Sequence, residues 1–144
     1  MNIRKRLLSI IATLALFVAC CPIAYASDIQ PRASEYLSQY TIALTEGDSA
    51  GEIKVIYSII PTRKATVAGL SKIEIYKENG SYVTTIFGNT TNGLLTTLTT
   101  AYCSGTYVYS GVSGTSYYAK VTVYGGNATA SDTRTITTRT VAAP

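Results

Sequence analysis

Hydrophobic and polar residues follow two different rhythms along this chain. Leu7 to Val18 is an almost continuous apolar run. From Tyr36 onward the pattern changes to short segments of strict alternation, broken by Gly, Asn and Ser. Period-two alternation is the mark of half-buried β-strands, and no stretch after Tyr36 carries the 3.6-residue apolar repeat of a helix. Tyr40, Ile42 and Leu44 share one face of a first strand, which ends in the turn-rich Glu46-Gly47-Asp48-Ser49-Ala50-Gly51. Ile53, Val55, Tyr57 and Ile59 then alternate with Glu52, Lys54 and Ser58 as far as Pro61. After a loop through Arg63, Lys64 and Gly69, the run Lys72 to Lys77 alternates again and meets Asn79-Gly80, a hairpin signal because both residues tolerate positive φ.

The second half continues in the same way. Tyr82 to Phe87 is the returning strand, Gly88 to Gly93 a polar loop, and Leu94, Leu95 and Leu98 are placed as a plug at one end of the core. Ala101 to Ser110 is bulky on both faces, with Cys103, Tyr107 and Tyr109 assigned inward. Tyr117, Ala119, Val121 and Val123 form the apolar face of the strongest strand, and Thr133 to Val141 closes the series with Arg134 and Arg139. About seven such strands joined by hairpins predict an all-β, antiparallel two-sheet sandwich, with a barrel as the alternative closure.

The apolar run near the start has a separate meaning. Arg4, Lys5 and Arg6 precede it and Ala24-Tyr25-Ala26 follows it, which is the layout of a secretory signal peptide. Its core of roughly 12 to 15 residues is shorter than the roughly 20 needed to cross a bilayer, so no membrane span is expected. Cleavage is placed between Ala26 and Ser27, giving a signal peptide over 1–26, a flexible lead-in over 27–34 and one domain over 35–144. The alternative is a lipoprotein anchored through Cys20, the last residue of Phe17-Val18-Ala19-Cys20.

Removing that leader changes the composition. The formal charge of the whole chain is +4, but Arg4, Lys5 and Arg6 leave with the leader, so the remainder is at +1. A sustained basic patch is then missing, and nucleic acid is excluded as an expected partner. Arg63-Lys64, the adjacent basic pair that remains, reads as a solvated loop. Cys20 and Cys21 also leave, which strands Cys103 without an intramolecular partner, either as a buried small hydrophobe or as a reactive thiol. A mature chain of about 118 residues buries about two thirds of its unfolded surface and has no need of a disulfide staple. The chain contains no histidine, which removes Ser-His and Cys-His nucleophile pairs and histidine zinc sites. Its twelve tyrosines and many threonines favour strands.

Tyr117-x-Ala119-x-Val121-x-Val123 after a Gly-containing turn resembles the penultimate strand of fibronectin type III and related immunoglobulin-like domains. That resemblance implies a tyrosine corner, in which Tyr117 bonds to backbone just upstream. Ile73-Glu74-Ile75-Tyr76 before Asn79-Gly80 is similar to the third strand and hairpin of those domains, whose usual tryptophan is missing here, with Tyr57 placed in its volume. More narrowly, Tyr36-Leu37-Ser38-x-Tyr40, Tyr109-Ser110-Gly111 leading to Tyr117-x-Ala119, and Asp132-Thr133-Arg134 resemble a family of small secreted bacterial proteins of uncharacterised function. The likeness implies a single β-sandwich and carries no catalytic or ligand residues with it.

Candidate chemistry is sparse. Glu46, Asp48 and Glu52 lack the Asp-x-Asp-x-Asp-Gly order of a calcium loop and read as turn formers, so no metal or cofactor is expected. The outer face of the strong strand, with Tyr118, Lys120, Thr122 and Tyr124, is the candidate binding surface, because exposed tyrosines offer rigid contact area with a polar tip. The competing reading makes the same tyrosines strand formers lying against long neighbours. The expectation is a secreted, non-enzymatic, monomeric β-sandwich that contacts an extracellular or envelope protein or glycan. A small secreted hydrolase, or a hydrolase inhibitor using Pro61 to Gly69 as its loop, is the alternative.

Overall fold

A computed structural model of the chain describes residues 34–144. The expected signal peptide, its cleavage site at Ala26 and Ser27, Cys20, and the lead-in up to residue 33 lie outside the described residues.

Nine strands occur among the described residues: β1 (Leu37–Glu46), β2 (Glu52–Pro61), β3 (Val67–Lys77), β4 (Tyr82–Phe87), β5 (Leu95–Thr97), β6 (Cys103–Ser110), β7 (Ser116–Gly126), β8 (Ser131–Thr137) and β9 (Val141–Ala142). They form two antiparallel sheets, one ordered β1-β2-β6 and the other β4-β3-β7-β8, with β5 added to β3 and β9 to β7. The strands thus close as a two-sheet sandwich and not as a barrel, in an arrangement compatible with fibronectin III and immunoglobulin-like domains. No helix among the described residues is long and apolar enough to cross a membrane.

The core lies between the inner faces that alternation marks. Leu44, Ile53, Val55, Tyr57, Ile59 and Cys103 come from the smaller sheet; Leu70, Ile73, Ile75, Tyr117, Ala119, Val121 and Val123 come from the larger. Along β1 burial tapers from Leu44 through Ile42 to an exposed Tyr40, because an edge strand is covered on one side only. Leu94 caps the core, and Leu98 packs against it. The Cys103 thiol is buried, and desolvation pushes its pKa up. The Tyr57 ring lies against Gly105, where an added Cβ would come within 2.6 Å of its hydroxyl. A side chain on the neighbouring strand is given up there to make room for a large ring in the core.

Tyr117 is 1% exposed, and its hydroxyl accepts a hydrogen bond from the Val112 N–H at 2.9 Å. This is the tyrosine corner implied by the resemblance. It ties the connection between β6 and β7 to the core, and the Tyr109 ring meets Tyr117 edge-on at 5.9 Å.

Several boundaries differ from the alternation. The two additional strands are β5, formed inside the apolar plug, and β9, which the Thr-rich closing segment reaches only after a break. At that break the Thr138 hydroxyl accepts from the Ala119 N–H while the Thr138 N–H donates to the Ala119 carbonyl. A threonine can copy a strand's hydrogen bonds with its side chain, so Arg139 falls between β8 and β9 although alternation places it within one strand. Gly69 lies inside β3, paired on both sides, and not in a loop. The β3–β4 hairpin forms where Asn79-Gly80 indicates, but only Gly80 has positive φ, at 86°. The turn is therefore longer than a two-residue type I′ connection, which needs positive φ at both positions.

Ser34, the end of the expected lead-in, is held by the body of the domain. Its hydroxyl donates to Asp132 Oδ2 at 2.7 Å, and the Tyr36 N–H donates to the same oxygen at 3.0 Å. These bonds, from Ser34 first and Tyr36 second, lower the Asp132 pKa below its usual 3.8. A depressed carboxylate contributes stability that is full above the unfolded pKa and lost as pH falls through the folded one. Urea titration should therefore show Asp132→Asn less stable than the parent at pH 7, with the gap shrinking as pH falls below the usual carboxylate range. A gap that is constant with pH would separate the effect from ionisation.

Candidate binding face

The outer face of the larger sheet is built by register. Tyr118 on β7 stands opposite Tyr76 on β3, and Tyr76 stands opposite Tyr82 on β4. Three tyrosines therefore form one row across three strands. The Tyr76 and Tyr118 rings stack at 5.2 Å with planes 9° apart, and Tyr82 meets Tyr76 edge-on at 5.8 Å. Lys120 Nζ lies 5.0 Å from the centre of the Tyr76 ring. Each aromatic pair adds about 0.5–1.5 kcal/mol beyond area burial, so the row is held in one arrangement before any partner arrives.

The next rows are polar. Glu74 faces Lys120 across the strands and pairs with Lys72 at 3.2 Å. Thr122 and Thr135 share a hydrogen bond at 3.0 Å. At the β4 edge, Phe87 stands opposite Lys72 and is 69% exposed, while Tyr82 is 59% exposed. Large aromatic groups that remain open to water at the rim of an ordered cluster offer contact area at little entropic cost.

Of the four residues named from sequence, Tyr118 and Lys120 belong to this cluster and are half-buried, while Thr122 lies in the polar row beside Thr135. Tyr124 points to the same side, but six residues along an extended strand separate it from Tyr118 by roughly 20 Å. Its hydroxyl occupies the space over Gly126, where a Cβ would come within 2.7 Å. Tyr124 is thus apart from the row. Tyr76, Tyr82 and Phe87 were missed. The signal for them is the hairpin itself, since Asn79-Gly80 brings the end of β3 beside the start of β4.

Other candidate groups are occupied by structural roles. Asp48 pairs with Lys54 at 2.5 Å, and Glu52 accepts from the Ser49 N–H at 3.1 Å. Among the described residues, no group of three or more acids or thiols is placed to hold a metal ion. Lys64 is exposed and bonds to Glu35, which raises its pKa. Asn127 Oδ1 accepts from the backbone of Thr129 and Ala130, as expected of an asparagine that shapes a turn.

One recess of about 530 Å³ lies between Thr45-Glu46 and the segment Arg139 to Ala142. Two more are lined by Pro61 to Ala65 with Leu98 to Ala101, and by Lys77 to Asn79 with Thr115-Ser116. None of these three is lined by two carboxylates, which a two-carboxylate hydrolase requires. The proposed inhibitory loop is also held down: the Thr66 N–H donates to the Gly126 carbonyl, and Val67–Gly69 pairs with β5 and β7. No protein-family model, curated protein or solved structure matches this chain.

Proposed function

We propose that the chain is an exported, non-enzymatic β-sandwich that acts by contact of the outer β4-β3-β7 face with an extracellular or envelope protein or glycan. The observation that carries this reading is the pre-stacked row Tyr118-Tyr76-Tyr82, with Lys120 over its central ring and Phe87 open farther along the β4 edge. Such a face suits a partner that presents flat apolar groups beside hydrogen-bond acceptors, because rings supply area while tyrosine hydroxyls and Lys120 supply donors. Export places that partner outside the cytoplasm. The kinship suggested by Tyr36-Leu37-Ser38-x-Tyr40 and Asp132-Thr133-Arg134, to small secreted bacterial proteins, supports the same compartment.

The test starts from the protein as its own cell makes it. Its mass should show the loss of residues 1–26; retention of Cys20 with an added lipid would replace secretion by anchoring. The purified protein is then applied to panels of surface glycans and purified envelope proteins. A Tyr82→Ser, Phe87→Ser double variant changes two exposed side chains and should weaken any binding about tenfold or more, a loss of about 1.4 kcal/mol. Unchanged binding by that variant would remove this face from consideration.

A further inference from the structure

We infer that β6 is a self-pairing edge, through which two copies of this chain join into a continuous six-stranded sheet about a twofold axis beside Thr106. The inference concerns the other sheet and does not depend on the tyrosine face.

The edge is defined by the backbone. β6 pairs with β2 alone, and among the described residues no backbone hydrogen bond reaches it from the opposite side. At the end of the β2–β6 ladder the Gly111 N–H donates to the Gly51 carbonyl. Residues of an antiparallel strand direct their N–H and C=O groups alternately to either side. With the register running Ile53↔Tyr109, Val55↔Tyr107 and Tyr57↔Gly105, the odd-numbered residues of β6 bond to β2. Ser104, Thr106 and Val108 therefore direct their backbone groups outward. An extended backbone is the complement of such a row.

A second copy is favoured by what β6 contains. The strand Cys103–Ser110 has neither a charge nor a proline, the devices that usually discourage edge pairing. By contrast, the β8 edge carries Asp132 and Arg134. At the third edge, β1 has a register shift after Leu37 and ends in Glu46; at the fourth, β4 is shorter, with a register shift at its turn end. Placing the twofold beside Thr106 sets Thr106 against its own copy and Ser104 against Val108. On the inner face, small residues then oppose large ones: Gly105 meets Tyr107, and Cys103 meets Tyr109. The same pairing extends the outer face that carries the exposed Ile56 and Val108. Because the operation is twofold, the interface closes at two copies. The inferred dimer stands against the monomer expected from sequence.

Sedimentation of the protein as its cell makes it, over a range of concentrations, should show twice the chain mass at the upper end. Thr106→Pro removes an outward N–H and leaves the β2 ladder intact, so it should raise the dissociation constant about tenfold or more, with an unchanged circular dichroism spectrum. Thr106→Cys provides an independent reading if the proline variant misfolds. Opposed residues in a hydrogen-bonded pair lie about 5.5 Å apart, within disulfide reach. Mild oxidation should therefore link the Thr106→Cys chains much faster than those of Ser58→Cys, which is exposed on the central strand β2. A wild-type protein that stays monomeric, a dimer indifferent to Thr106→Pro, or equal crosslinking by the two cysteine variants would each overturn the inference.

Discussion

Tyr117→Ala is expected to cost about 3–5 kcal/mol, because it opens a cavity at a fully buried ring and frees the connection that the hydroxyl restrains. Domains of this kind have about 5–15 kcal/mol in total, so the variant should be largely unfolded at moderate urea concentrations. Tyr117→Phe separates the two contributions. It keeps the ring and removes the oxygen, leaving the part-buried Val112 N–H without its 2.9 Å partner, at a cost of about 0.5–1.5 kcal/mol. Gly111 passes so close to that hydroxyl that an added Cβ would come within 2.7 Å, so the backbone is already shaped around the bond. Equilibrium urea unfolding of both variants reads the difference. A Phe variant as stable as the parent would show that the corner is packing alone.

Gly69→Ala is the second large effect. Gly69 has φ of 148°, and an added Cβ would lie 2.0 Å from the Leu94 carbonyl oxygen. The glycine pairs with Leu95 on one side and Tyr124 on the other, so neither neighbour can retreat without breaking a ladder. The adjacent Leu70 N–H donates to the same Leu94 carbonyl at 2.7 Å, and the Leu94 side chain caps the core. Strain and displacement together should cost about 2–5 kcal/mol. Gly80→Ala is the comparison. Gly80 has φ of 86° with nothing within 4 Å of its Cβ position, so that variant carries the conformational strain alone, about 1 kcal/mol. Thermal unfolding should place Gly69→Ala well below Gly80→Ala; equal melting temperatures would mean that β5 yields to the new methyl group.

These two positions differ in how much of their role is written locally. The Tyr117 corner was legible, since a tyrosine opening an alternating strand after a glycine turn is a local pattern, and both bonded groups lie within five positions in the chain. Gly69 reads as loop in the sequence because a glycine among Ala, Val and Leu carries no local sign that two strands flank it. The same limit explains the misplaced end of β8, where the Thr138 side chain replaces a backbone partner. The candidate face was legible by halves. Tyr118 and Lys120 follow from the alternation of β7, whereas Tyr76 and Tyr82 become relevant only when β3 and β4 are laid beside it.

The sequence by itself determined the all-β class, the inward set from Ile53 to Val123 and the hairpin at Asn79-Gly80, because side-chain alternation and turn chemistry act over a few residues. Tertiary structure alone decided which outward residues meet. Tyr118 stacks on Tyr76, and Tyr124 stands apart from both, through the register of β3 against β7. That register arises from the packing of many buried side chains, and a shift of one residue would turn every one of them to water. The edge that β6 presents among the described residues has the same origin, since an edge exists only once the other strands have found their partners.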